Sequence, residues 1–278
     1  MNAVTLSKRG SPALGAIRRA TLGRGLPAPL RVTLARLLNY LACLGLALLL
    51  WQALVSLFAV PAYLMPSPAQ CFAAMAKAGA QLAGAVGWTV FATLLGMAIS
   101  LVLATLLAMA FIACPLLDRV VMPLILLMRT VPMIAVAPIL VLVFGREQGN
   151  TVGMVVLLTF FQIMLAAKKG FQAPSSNLME LMHTCGASFW QTLFKVRLPC
   201  ALPYLFTGLR IAAGTAILCA MFAEWLSGAP GLGSLMLDAY ARQDFALMWA
   251  AVLASTSAAY VFFTLTIAFE VAVIEWAR

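Results

Sequence analysis

The chain has 278 residues, of which 64% are hydrophobic and only 9% charged, with a mean hydropathy of +1.03 and a formal net charge of +10. Soluble domains carry about 25% charged residues, and several apolar runs here reach the roughly 18–20 residues that cross a bilayer. A soluble enzyme is excluded, and the length holds one membrane domain with no room for a soluble catalytic domain beside it.

Residues 1–37 read as a basic tail. Lys8, Arg9, Arg18, Arg19, Arg24, Arg31 and Arg36 precede the first apolar run, and no acid accompanies them. Basic flanks are the signal of cytoplasmic retention, and this explains the charge better than a nucleic-acid arm. The segment is too long and polar for an ordinary signal peptide, so the expectation is a retained cytoplasmic tail, disordered to about Pro29. The membrane domain then occupies residues 38–278. A first span covers about Leu38 to Val60, followed by Pro61, Pro66 and Pro68 and a short amphipathic helix over 69–83. A second span runs from about Trp88 to Ile112, and Asp118 and Arg119 mark the aqueous boundary beyond it. The third runs from about Val120 to Phe144, interrupted by Pro132 and Pro138, and ends at the polar turn 145–150. A fourth covers about Thr151 to Ala167, closed by Lys168 and Lys169. After a polar segment comes a fifth, about Tyr204 to Ala223, and after the glycine-rich connection around GAPGLG a sixth, about Leu247 to Ile274.

With six spans, the tail, Arg119, Lys168, Lys169, Lys195, Arg197 and Arg278 share one side, while Lys77, Arg146 and Arg242 fall on the other. The bias places both termini and the polar segment in the cytoplasm. Cys43, Cys71, Cys114, Cys185, Cys200 and Cys219 form no CxxC pair and His183 is the only histidine, so the cysteines read as apolar fillers and no metal site is expected.

The polar segment, residues 174–203, is out of place between apolar runs. Ser175, Ser176 and Asn177 supply capping groups, Asn177 and Glu180 have capping-box spacing, Glu180 being an N-terminal cap on this reading, and Gly186 can take the left-handed conformation that stops a helix. Ser188 and Gln191 repeat the box, and Leu198–Pro199 end the second helix before the fifth span. The expected shape is helix, glycine turn, helix at the membrane surface. By itself this is also what a helix lying in the headgroup layer looks like.

Glu180, Gly186 and Leu198–Pro199 resemble the EAA signature of bacterial ABC importer permeases, a Glu six residues before a Gly and then a distal Leu-Pro. GASFWQTLFKVRLPCALPYLFTGLRIA, AEWLSGAPGLG and MRTVPMIAVAPILVLVFG narrow the resemblance to the nitrate/sulfonate/taurine type, from about Trp51 to the C-terminus. It implies an all-α, type I importer transmembrane domain in a bacterial inner membrane, with cytoplasmic coupling helices. It also implies a separate ATPase that binds ATP, an extracytoplasmic substrate-binding protein and a second permease copy. The implied coupling residues are Glu180, Met182, His183, Gly186, Ala187, Leu198 and Pro199. Leu181 and Met182 stand where alanines are usual, and His183 where the subgroup often has Arg, which would alter the docking fit. No GxxxxGK[ST] loop occurs in the sequence, so ATP energy would come from the partner rather than from a cofactor of this chain.

Arg129, Pro132, Pro138, Glu224, Gly231 and Gly233 are the candidates for the translocation pathway. An Arg near the bilayer centre costs on the order of 2.5–3.5 kcal/mol on insertion scales. Arg129 therefore pairs with Glu270, snorkels separately from it, or lines a pore. Prolines within a span free backbone carbonyls where protein or water can satisfy them. Glu224 reads as interfacial or as part of an outer gate formed with the glycines of GAPGLG. A membrane-embedded hydrolase or lipid transferase lacks a GxSxG motif, an acidic metal cluster and a histidine at depth. An ATP-independent carrier or channel is the other alternative, and carriers carry more intramembrane ionisable groups. The substrate classes implied are nitrate, sulfonates or taurine, and thiamine's pyrimidine precursor, the last through the AEWL…GLG block.

Overall fold

A computed structural model describes residues 45–273, and every regular element among them is a helix. The predicted tail and the start of the first span lie outside the described residues. The chain divides into two compact units, Met1–Val60 and Pro61–Arg278. The described part of the first is the apolar helix α1 (Gly45–Leu57), where the first expected span falls.

The second unit carries α2 (Pro68–Lys77), α3 (Gly79–Ala113), α4 (Pro115–Met128), α5 (Met133–Phe144), α6 (Gln148–Phe171), α7 (Ser176–Thr184), α8 (Phe189–Thr192), α9 (Leu198–Ser227), α10 (Leu232–Ala241) and α11 (Phe245–Val273). Four stretches are long and apolar enough to cross a membrane: α3, α6, α11 and the continuous run Phe189–Ser227. The pair α4 and α5 adds a fifth if it counts as one span. Leu142 on α5 is 86% exposed, as a lipid-facing side chain would be.

Three boundaries differ from the sequence reading. The expected helix over 69–83 is split at Ala78. Ser67 and Gln70 form a capping box at the start of α2, and residues from Gly79 onward belong to the 35-residue α3. The third span begins earlier, at Pro115, and breaks at Arg129–Pro132, where α4 and α5 diverge by 102°. Pro132 sits at the start of α5, where its missing N–H costs nothing, while Pro138 lies inside that helix. Leu198–Pro199 do not end a helix. α8 passes through a single π turn, Leu193–Arg197, into α9, and the Leu198 N–H reaches back to the Leu193 carbonyl. A proline early in a new register is tolerated, and the π turn absorbs the change.

Helix α6 is the centre of the unit, packed between α3 and α9. It comes close because small residues remove the side chains between backbones. A Cβ on Gly96 of α3 would lie 2.6 Å from Val155 Cγ1. One on Gly170 would lie 2.8 Å from Ala201 Cα, and one on Gly208 of α9 2.8 Å from Ala166 Cβ. Hydrogen bonds span the same seams. The Ser100 hydroxyl donates to the Val156 carbonyl at 3.0 Å and lies 2.7 Å from Thr159 Oγ1. Gln162 Nε2 donates to Thr215 Oγ1 at 3.2 Å. Two ion pairs tie helices together, Lys168–Asp118 and Arg210–Glu270.

Gly96→Val is expected to force α3 from α6 at a cost of about 1–3 kcal/mol, the range for overpacking. A lowered melting temperature of the detergent-solubilised protein would register it, with Gly84→Ala, which meets open space, as the unaffected control.

Candidate functional site

The polar segment forms an elbow at one end of α9. Helix α7 is capped by Ser175, whose Oγ accepts the Leu178 N–H. The predicted Asn177–Glu180 box is not formed: both residues lie within the helix, and Glu180 is not an N-terminal cap. Its side chain is exposed and makes no hydrogen bond or ion pair among the described residues. Gly186 turns the chain at φ +66°, the left-handed region where a Cβ is costly. Its N–H donates to the His183 carbonyl and that of Ala187 to the Met182 carbonyl, both at 3.0 Å. The Ser188–Gln191 capping box is present as expected.

Behind the turn is a cavity of about 270 Å³ whose lining includes Met182, His183, Ala187, Arg197 and, from α3, Ile112. Three of the predicted coupling residues thus face one hollow. Glu180 and Gly186 stand outside it, and Leu198 and Pro199 are half-buried farther along the continuous helix. Arg197 Nη1 donates to the Phe171 carbonyl at 2.9 Å, setting a cation at the C-terminal pole of α6. Leu193 and Val196 are buried, while Phe189, Trp190 and Phe194 are exposed.

At the far end of α9 lies a second cluster. Glu224 has no exposed surface, which overturns the interfacial reading. Its Oε2 accepts the Thr89 hydroxyl at 3.0 Å and the Gly233 N–H at 2.9 Å. Thr89 Oγ1 also accepts the Leu232 N–H at 2.9 Å, so one hydroxyl joins α3, α9 and α10. Gly228, at φ +73°, ends α9, its N–H on the Glu224 carbonyl at 2.8 Å. The two glycines that follow are required by space. A Cβ on Gly231 would sit 2.1 Å from Glu224 Cδ, and one on Gly233 2.0 Å from the Met221 carbonyl oxygen. Gln148 at the head of α6 donates to the Pro230 carbonyl. Glu224, Gly231 and Gly233 are therefore brought together, Gly231 and Gly233 packing against the Glu224 side chain. Thr89 was missed, and its only sequence signal is a hydroxyl near the outer end of an apolar run.

Between the two ends sits the break in the third span. Arg129 is exposed there and lines a cavity of about 80 Å³ with Gln162. It does not pair with Glu270, because Arg210, three turns along α9 from Leu198, takes that carboxylate. Arg210 was the overlooked cation of the fifth span. Pro132 and Pro138 are exposed and do not line this cavity.

Comparison with known proteins agrees with this architecture. The family described as binding-protein-dependent transport system inner membrane component matches residues 100–276. The protein named "Probable ABC transporter permease protein" in Haemophilus influenzae is 32% identical over 218 residues, covering 78% of this chain and 89% of that protein. The formylaminopyrimidine transport permease protein ThiX of Halalkalibacterium halodurans is 35% identical over 191 residues, 67% of this chain and 74% of ThiX. Among solved structures, a chain of the MetNI methionine ABC transporter in inward-facing conformations superposes with a TM-score of 0.61. It is 19% identical, and the match covers 71% of this chain and 98% of that one, a likeness of fold.

Thr89→Val leaves the Leu232 N–H without its acceptor and takes one donor from Glu224, an expected loss of about 1–3 kcal/mol. Thr89→Ser should retain most of the stability. Thermal unfolding of the purified variants, with Gly231→Ala expected to be destabilised as well, checks both.

Proposed function

This chain belongs to the binding-protein-dependent transport system inner membrane components and is the permease subunit of an ABC importer, and from that premise we propose how it is coupled and what it carries. The elbow of α7, Gly186 and α8 docks on a separate ATPase subunit in the cytoplasm. Glu180, Met182, His183, Gly186 and Ala187 form the docking region, with Leu198 and Pro199 behind it. Both termini lie on the same side, residues 1–37 being the basic tail of the membrane domain 38–278. ATP is bound and hydrolysed by the partner. A second copy of this chain completes the pathway, and an extracytoplasmic binding protein delivers the solute.

The observation that carries this reading is the continuity of Phe189–Ser227. At 1.5 Å per residue its 39 residues make a rod of roughly 58 Å, with the elbow at one end and the buried Glu224 cluster at the other. A displacement applied at the elbow is transmitted along a helix rather than absorbed by a loop. The exposed carboxylate of Glu180, with no partner of its own among the described residues, is available to another chain. Arg129, Pro132 and Pro138 lie along the pathway, and Glu224, Gly231 and Gly233 shape its outer gate. The solute is a small organic molecule or oxyanion, in the classes of thiamine's pyrimidine precursor, sulfonates or taurine, and nitrate. The name of the 35% identical relative supports the first of these.

Gly186→Trp is expected to insert normally but to uncouple ATP hydrolysis from uptake, and a bulky replacement of Glu180 to do the same. Membranes carrying the variant with its ATPase should hydrolyse ATP while uptake falls by at least tenfold, about 1.4 kcal/mol of lost coupling. Unchanged uptake by Gly186→Trp, or flux through the purified chain without an ATPase, would overturn the coupled-importer reading.

A further inference from the structure

We infer that Arg129, at the break between α4 and α5, forms an anion-selecting station halfway through the translocation pathway, so that the solute carried bears a negative charge. The inference rests on the importer reading above and narrows its substrate classes to the charged members.

The depth of the station follows from its neighbours. Arg129 shares its cavity with Gln162, which lies well inside α6 and bonds to Thr215 in the middle of α9. An arginine at that depth is retained where it meets a countercharge, protein dipoles or a water-filled cavity. The acids that could serve are committed elsewhere among the described residues. Asp118 holds Lys168, Glu270 holds Arg210, and Glu224 is enclosed by Thr89 and Gly233. Glu147 precedes α6, Asp238 and Asp244 line a separate cavity with Arg242, and Glu180 belongs to the elbow at the opposite end. Among the described residues Arg129 makes no side-chain hydrogen bond or ion pair of its own, and it is exposed.

The break itself adds to the effect. Beyond Arg129 the chain spends three residues outside any helix before α5 begins at Met133, and Met133, at that helix start, lines the same cavity as Arg129. A helix start carries partial positive charge, and discontinuous spans in carriers use such starts toward anionic groups. The guanidinium is the stronger element, offering five donors in a fixed fork to a carboxylate, sulfonate or oxyanion. Gln162 lines the same hollow with its amide bonded to Thr215, an uncharged polar neighbour that does not cancel the field.

The test uses the complex with its ATPase and a chain whose six cysteines are replaced by serine, with Thr130→Cys as the reporter beside the station. Modification rates are measured with an anionic and a cationic methanethiosulfonate reagent. The anionic reagent is expected to be favoured, and the ratio of the two rates to fall about tenfold with Arg129→Gln and to recover with Arg129→Lys. Millimolar nitrate or methanesulfonate should slow the anionic reagent at the same site. A ratio unchanged by Arg129→Gln overturns the inference. So does a Thr130→Cys that neither reagent reaches while Gln243→Cys, in the exposed turn between α10 and α11, reacts, because the station would then be closed by lipid or by a second copy. Co-purification of the ATPase is read in the same preparations. Its presence beside an unchanged ratio removes the anion station alone, whereas its absence removes the importer reading.

Discussion

The close approach of α6 to α3 and α9 is the constraint on which the other features rest. It is made at Gly96, Gly170 and Gly208, where no side chain separates the helices. In a bilayer there is no hydrophobic gain from moving a leucine from lipid to protein, so association depends on contact between backbones and on the few polar bonds they permit. Ser100 on Val156, Cys219 on Met154 and Gln162 on Thr215 are such bonds. Each needs the helix spacing that the glycines set. Replacing these small residues by larger apolar ones would preserve hydropathy and the number of spans while removing the geometry.

That spacing also holds the two polar ends of α9 in a fixed relation. Its start is tied to α6 by Arg197 on the Phe171 carbonyl and by Ala201 against Gly170. At its other end Glu224 is tied to α3 by Thr89 and to α10 by the Gly233 N–H. A buried carboxylate with so few donors is costly unless its surroundings are rigid. Gly231 and Gly233 let the returning chain press against it, so the connection after α9 is moulded on a side chain of the helix it leaves. Any rotation of α9 would therefore move α10 and the outer end of α3 with it.

The local features were legible in the sequence. Gly186 as a left-handed turn, Ser188 with Gln191 as a capping box, and the polar island itself are decided within four or five residues, where propensity is strong. The glycines of GAPGLG were legible as a tight connection, though not as the seat of Glu224. The misreadings have physical reasons. Leu198–Pro199 looked like a stop because proline usually breaks a helix, but a π turn just before it re-registers the backbone and the helix runs on. Of the capping groups Ser175, Ser176 and Asn177, it is Ser175 that caps the helix, and this moves Asn177 and Glu180 inside it and leaves their box unformed. The Arg129–Glu270 pairing was a choice of partner across the fold. Depth alone could not separate Arg129 from Arg210, which lies sixty residues from Glu270 in sequence but faces it across α9 and α11.

The corrected pairing changes the electrostatics of the middle of the membrane domain. Had Arg129 held Glu270, the broken span would be neutral and its cavity a packing defect. With Glu270 on Arg210, one cation is compensated between two unbroken helices, and the other stands at the only sharp bend of a span among the described residues. A charge is more cheaply held inside a pair than left at a break, so the unpaired position calls for something outside this chain. Lipid acyl chains cannot supply it. Water and a passing anion can, and the break between α4 and α5 is where they would meet it. On the inference above, the bend and the arginine left without a partner among the described residues are two parts of one arrangement, the first giving a solute access at membrane depth and the second giving that site a sign.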